Sequence, residues 1–332
     1  MDAPTPARPA ATKVRTAAAR DRVTCRFCPI DGTGDGVPGR SYRLEVDVPT
    51  LVRQACPACA NPIDRCPAES EVFRVCDRCG LVFRTTVARL DPTEAWDTNY
   101  WQDDRIVEMD ASRQSAFVGI VAMVSRLPST APRTWLDVGC GGGTLLAAAR
   151  DAGWEVSGVE PSPAATEIAA RRAPGAVVHP GSAETDFGEL GTFGVVSMTD
   201  VLRTIAEPLP AMQRCAERVA PGGWLMIRES DSRMKKRHRA AVKPEAVVSW
   251  SDYAQQFNPR ALERAFRQLG LVEVHSLPSP LFVEQGVGPR AMQRFALPAV
   301  KAGTFTAARL LSRASGHRLT LTPNFMTVGR MP

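Results

Sequence analysis

The chain has 332 residues, a net charge of +6 and an apolar content of 44%, which is ordinary for a globular protein and long enough for one large α/β domain plus a small module. No stretch approaches the about eighteen apolar residues of a membrane span, and the Ala/Pro/Arg-rich N-terminus lacks the apolar core of a signal peptide. Nine cysteines, six of them in C-x-x-C pairs, point to metal in a reducing cytoplasm rather than to disulfides.

Residues 1–24, rich in Ala, Pro, Thr and Arg, read as a disordered tail. A zinc-binding module is expected over residues 25–86. Cys56-Pro-Ala-Cys59 and Cys76-Asp-Arg-Cys79 are sixteen residues apart, the spacing at which two knuckles bring four thiolates to one tetrahedral zinc. Gly80 suits the tight knuckle turn, and Leu81-Val82-Phe83 reads as a strand. Four thiolates close the coordination sphere, so the ion's role is structural. Cys25-Arg-Phe-Cys28 has three readings: part of a second site with Cys66 and one further ligand, a replacement for one knuckle, or a free pair in the tail.

Residues 87–130 read as a linker and a helix over Ile106–Leu127, with Phe117, Ile120, Val121 and Val124 on one face. The large domain is expected over residues 131–332. Thr134-Trp135-Leu136 reads as a buried strand, Asp137-Val-Gly139-Cys140-Gly141-Gly-Gly143 as a glycine-rich turn, and Thr144 onward as a helix. Such a turn lets a ligand touch the backbone and aims helix N–H groups at it. The next strand, from Glu155, ends in Glu160, whose carboxylate suits a ribose diol. Together these describe a nucleoside-containing cofactor across the carboxyl ends of parallel strands. The glycines fall as G-x-G-x-G, with Thr144 where a dinucleotide fold places its third glycine. Asp137 would repel a pyrophosphate and attract a sulfonium or amino group.

This arrangement resembles motif I of the class I S-adenosylmethionine (SAM) methyltransferases, over roughly residues 90–278. The resemblance implies an α/β fold with a Rossmann-like seven-stranded sheet and helices on both faces. It also implies that Asp137, Gly139, Cys140, Gly141 and Gly143 hold the methionine end of SAM, that Glu160 holds the ribose, and that Ala183 and Glu184, with Asp186 behind them, meet the adenine. Strands are read at Ala176–His179, Phe193–Met198 and Pro221–Ile227. Thr199 and Asp200 then stand beside the methyl-transfer point. Asn258-Pro-Arg-Ala-Leu262 resembles the start of the last large helix, and Asn324–Arg330 a final antiparallel strand. Several bacterial methyltransferases carry a similar zinc ribbon followed by an aromatic patch like Tyr100-Trp101, which makes Tyr100 a cofactor contact. Residues 280–318, helical at Thr306–Arg313, read as a lid or a dimer insertion.

The pattern departs from the family at its usual bases. Arg203-Thr204 follows Val201-Leu202 where many small-molecule members carry a histidine, and Tyr253 replaces a second histidine before the last helix. The catalytic candidates are therefore Asp200 as base or orienting group, then Tyr253 and His238, with Glu229 behind. His179 reads as a structural histidine ending a core strand, and Cys140 and Cys215 as small apolar packing groups. The basic run Arg233–Arg239 lies at the ligand edge, either as a solvated loop or facing an anionic, nucleotide-linked or carrier-linked acceptor, or nucleic acid. Three functions compete: a methyltransferase acting at O, N or C of a sugar or other small metabolite; an RNA methyltransferase, against which stands the absence of an Asn/Asp-Pro-Pro-Tyr-like motif after the fourth strand; and a non-catalytic SAM- and zinc-binding interaction module. The chain is expected to act as a monomer or homodimer.

Overall fold

The computed structural model describes residues 23–25, 42–44, 49–70, 72–89, 91–97, 101, 104–185, 187, 190–231, 233, 253–280, 297–317, 320 and 322–332. The strands in chain order are β1 (Val23–Cys25), β2 (Tyr42–Leu44), β3 (Thr50–Val52), β4 (Phe73–Val75), β5 (Val82–Arg84), β6 (Thr86–Ala88), β7 (Thr134–Val138), β8 (Glu155–Glu160), β9 (Val177–Pro180), β10 (Phe193–Thr199), β11 (Val219–Ser230), β12 (Gln255–Gln256), β13 (Val272–Pro278) and β14 (Asn324–Arg330). The helices are α1 (Pro92–Asp97), α2 (Asp104–Ser112), α3 (Gln114–Val124), α4 (Thr144–Asp151), α5 (Pro163–Arg172), α6 (Pro208–Ala216), α7 (Pro259–Gln268) and α8 (Leu297–Ala314).

Seven strands form one sheet in the order β13-β14-β11-β10-β7-β8-β9. β7, β8, β9, β10 and β11 run parallel, and β14 is antiparallel to both neighbours, β11 and β13. Buried parallel strands need apolar side chains on both faces, and β11 supplies them alternately. Leu225 and Ile227 join a core shared with α6 and α7, whereas Trp224 and Met226 join a core shared with α3 and α4. The sheet order reverses between β7 and β10, the switch point where open α/β sheets bind ligands beyond their carboxyl ends.

Several elements differ from the sequence reading. The single helix expected over 106–127 is two helices. Arg113 breaks it, its N–H turning back to the Asp110 carbonyl, and Ser112 Oγ donates to the Met109 carbonyl. The last-third helix begins at Leu297 rather than at residue 306, and it packs on β13. His179 lies half-buried on β9, an edge strand, not a core strand. The fifth strand extends through Ser230, past Ile227.

The cysteine-rich segment forms two small sheets, β3–β6 and β4–β5, and the second is completed by β12 from far along the chain. Its four paired cysteines belong to the same apolar core as α6 and α7. Arg53, 6% exposed, anchors this junction by donating to the carbonyls of Ala254 and Ala206 and to Gln255 Oε1.

Candidate functional site

The glycine loop follows β7 directly. Its glycines at 139, 141 and 143 have φ of 76°, 52° and 75°. Gly141 shows why no side chain fits there: a Cβ would lie 2.5 Å from Cζ2 of Trp101, whose indole covers the loop. Cys140 turns its thiol inward against Gly158, and burial holds that thiol well above its ordinary pKa. Cys140 thus packs as an apolar group, with its N–H donating to the Val159 carbonyl and its carbonyl accepting from the Gly143 N–H.

Two carboxylates flank the loop. Asp137 is 2% exposed, and its Oδ1 accepts from Ser197 Oγ at 2.6 Å; Ser197 in turn accepts from Trp135 Nε1. Burial raises the Asp137 pKa to about 7, the Ser197 hydrogen bond opposing and the charges of Glu160 and Asp110 adding to the rise. A cation brought beside Asp137 would reverse that shift. Glu160, 5% exposed at the tip of β8, accepts from the N–H of Gly141 at 2.9 Å and of Ser162 at 3.0 Å. An ionised carboxylate has about four lone-pair sites, the chemistry a diol needs. At the tip of β10, Thr199 Oγ1 is buried without a hydrogen-bond partner among the described residues. An orphaned hydroxyl beside a glycine cradle and two carboxylates fits a polar, partly cationic nucleoside such as SAM. Behind the loop, Asp110 Oδ2 accepts from Thr144 Oγ1 and from Arg172, tying α2 to the start of α4.

Asp200, at φ 63°, projects its carboxylate between two guanidiniums. Oδ2 pairs with Arg228, which is fully buried, and Oδ1 with Arg203. Burial, followed by the like charge of Arg203, works against the Arg228 cation, and Glu229 opposes that effect. Arg203 also pairs with Glu229 through its Nε at 3.1 Å and lies 5.2 Å from the Tyr253 ring centroid. Arg203 therefore gathers three of the sequence candidates, Asp200, Tyr253 and Glu229, into one cluster. Both oxygens of Asp200 are occupied by cations, which suits it to orienting rather than to taking a proton. Gln255 closes the cluster from below, donating to the carbonyls of Leu202 and Ile205.

The thiols of Cys56, Cys59, Cys76 and Cys79 all lie within 4.8 Å of one another, with Cys56–Cys79 at 3.7 Å and Cys59–Cys76 at 3.6 Å. Tetrahedral zinc with bonds of about 2.3 Å needs sulfurs about 3.8 Å apart, so the donor set fits the ion. The two knuckles repeat one turn. The Ala60 N–H donates to the Cys56 carbonyl and the Gly80 N–H to the Cys76 carbonyl. Burial pushes the Cys59 thiol up to about 12, whereas hydrogen bonding from Cys56 lowers Cys79 to about 6. Cys66, buried beside Cys76, stays outside the four and donates to the Pro62 carbonyl.

Ala183 is buried and its carbonyl accepts from Arg214, while exposed Glu184 accepts from the Ala206 N–H. Cys215 is buried in the α6 core with its thiol pushed up to about 12 by burial, as a packing group should be. Tyr100, Asp186, His238 and Cys28 lie outside the described residues, and for Cys25 only the backbone of β1 is described. Sequence reading missed Ser197, Trp101 as the loop's cover, and Arg228. Arg228 had a signal: it is a lone cation in the apolar run Trp224-Leu-Met-Ile-Arg-Glu.

A seven-stranded sheet whose last strand in the chain, β14, inserts antiparallel between β11 and the edge strand β13, with a glycine loop after β7 and an acidic tip on β8, defines a class I SAM-dependent methyltransferase. Residues 111–276, half of the chain, match the methyltransferase-domain family, and the chain belongs to that family. It is 31% identical over 151 residues to a ubiquinone biosynthesis O-methyltransferase of Thiobacillus denitrificans, covering 41% of this chain and 63% of that one. It is also 31% identical over 150 residues to a ubiquinone biosynthesis O-methyltransferase of a Caulobacter species, covering 42% and 59%. The chain spans under two thirds of the length of these curated relatives. A SAM-dependent methyltransferase from Thermotoga maritima, described as a possible histamine N-methyltransferase, aligns at 17% identity and a TM-score of 0.48, over 73% of this chain and 100% of the other. At that score the fold rests on the strand order, not on the neighbour. Among the described residues no helix is long and apolar enough to cross a membrane.

Proposed function

We propose that this methyltransferase moves the methyl group of SAM to an oxygen, nitrogen or carbon of a small molecule, such as a sugar or another specialised metabolite. The observation that carries the reading is the pairing of Asp137 and Glu160 at adjacent strand tips on either side of the glycine loop. Bound SAM supplies an electrophilic methyl on a cationic sulfur. Glu160 accepts from the ribose hydroxyls, and Asp137 with the backbone of Gly139, Cys140, Gly141 and Gly143 holds the methionine end. Ala183 and Glu184 border the adenine. Thr199 and Asp200 set the direction of approach to the methyl group.

The acceptor's nucleophile forms its bond to the methyl carbon as the carbon–sulfur bond breaks, and the acceptor's proton leaves to a base or to solvent. Alignment supplies most of the acceleration in such a displacement. Asp200, held by Arg203 and Arg228, orients the acceptor, and Tyr253 is the group in the cluster able to pass on a proton. The names of the curated relatives favour oxygen among the three acceptor atoms. We place the protein in the reducing cytoplasm, a reading supported by C-x-x-C pairs whose four thiols converge in the manner of metal ligands. We assign Cys56, Cys59, Cys76 and Cys79 to a structural zinc, supported by the tetrahedral fit above.

Calorimetry with SAM on the wild type and on Glu160→Ala tests the reading. Binding that Glu160→Ala weakens by about tenfold or more is expected, since hydrogen bonds to a charged group contribute about 1.5–3 kcal/mol. A folded wild type that ignores SAM sinks it. Labelled SAM offered with panels of phenols, sugars and amines then identifies the acceptor atom.

A further inference from the structure

We propose that the cleft between α3, β13 and α8 is a second binding site, for a phosphoryl group on a small organic body. The cleft encloses about 180 Å³ and gathers Arg126, Arg309, Arg313, His275 and His317. Among the described residues no carboxylate lines it. Arg309 and Arg313 are one turn apart on α8, where like charges repel. Three guanidiniums gathered without an acid repel one another, and an anion seated among them would relieve that repulsion. The mutual effect is visible in the groups themselves. Burial, then the charges of Arg313 and Arg126, lowers the pKa of Arg309, and burial, then His275 and Arg313, lowers that of His317.

The cations are also held in place. Arg309 lies 5.8 Å from the centroid of Phe305, a ring packed against the core beneath α8. The rings of His275 and His317 face each other with centroids 4.9 Å apart, tilted by 34°. His275 Nδ1 lies 2.7 Å from the Glu273 carbonyl, which can only accept, so that nitrogen carries the proton. His317 Nδ1 meets the buried Ser312 hydroxyl at 3.3 Å.

Guanidinium forks match phosphate oxygens two at a time, and three of them suit a multiply charged anion better than a single carboxylate. Met123, Leu127 and Leu277 give the cleft an apolar wall for a carbon skeleton. The site is not the cofactor site. β13 is four strands from β7 and its glycine loop, about 19 Å at the usual strand spacing.

Calorimetry at constant ionic strength, near neutral pH, with inorganic phosphate and with phenyl phosphate tests the proposal on the full chain. A saturable, one-to-one binding of either probe is expected, weakened about tenfold in Arg309→Gln and in Arg313→Gln, as loss of one charge-assisted hydrogen bond implies. Tighter binding of phenyl phosphate assigns the site to phosphorylated organic molecules; equal binding assigns it to free phosphate, and the phosphoryl chemistry stands in both. Both variants should melt no lower than the wild type, since each relieves like-charge repulsion, and should keep its SAM affinity, which separates a lost site from a lost fold. No saturable binding of either probe, or binding that both variants leave unchanged, overturns it.

Discussion

Asn258 joins a knuckle cysteine to the start of a helix on the other side of the junction: its amide donates to the carbonyls of Cys79 and Gly80 while its Oδ1 accepts from the Ala261 N–H that opens α7. The knuckle and the helix thus share one side chain. Asn258→Ala should cost about 1–2 kcal/mol, as a lost N-cap does, and should speed the loss of zinc to a chelator. Asn258→Asp keeps the cap but removes both donors, so it should restore much of the stability and leave the metal labile. Denaturant unfolding and a chelator-release time course read the two effects separately. Identical behaviour of the two variants would break the link.

Arg228 and Asp200 predict a stability effect. Removing one partner of a buried ion pair strands the other charge, at about 3–5 kcal/mol when both are fully buried. Asp200 is partly exposed, with its side chain 18% accessible, and keeps Arg203 on its other oxygen, so the lower end is the ceiling. Arg228→Met should therefore destabilise by up to about 3 kcal/mol, and Asp200→Asn combined with it should recover part of the loss. A double-mutant cycle in urea measures the coupling, and strictly additive losses would dissolve the pair.

Asp137 predicts a pH profile. Its folded pKa of about 7 lies above the unfolded value of about 4, so the folded state holds the proton more tightly. Its contribution to the ligand-free protein is complete below about pH 4 and is lost as pH rises through 7. Binding of a cationic ligand works in the opposite sense, because it favours the carboxylate. SAM affinity should then rise by about tenfold between pH 6 and pH 8, and Asp137→Asn should remove that part of the rise. Calorimetry across this range compares the two profiles; parallel profiles would exclude Asp137 as the titrating group.

Gly141→Ala tests the cradle. The new Cβ would clash with Trp101 and sit at a φ of 52° that L-residues rarely adopt. SAM affinity should fall by more than about tenfold, and the fluorescence of Trp101 should shift as its ring is displaced. Unchanged affinity would remove the loop from the site.

Much of this arrangement was legible in the sequence because it depends on local pattern. Strand β7, the glycine turn, α4 and the acidic tip of β8 follow one another within residues 134–160. The two knuckles announce themselves by spacing, and the antiparallel β14 by its resemblance to the family's last strand. What escaped depends on pairing across long separations. Nothing near Ser197 says that its hydroxyl meets Asp137, and nothing near Arg53 says that it reaches Ala206 and Ala254. Nor does anything near Asp110 say that its carboxylate meets Thr144 and Arg172.

The pairing of β12 with β5 sets an order of assembly on the ribosome. The knuckles can bring their four thiols together as soon as residue 80 has emerged, but the small sheet they support lacks its third strand until residue 256 is made. Through that interval the free edge of β5 is exposed, and its partner arrives only after the strands of the large sheet up to β11 have been synthesised. The cysteine-rich segment is therefore begun first and finished late, so a truncated chain ending before residue 255 should carry an open strand edge prone to association.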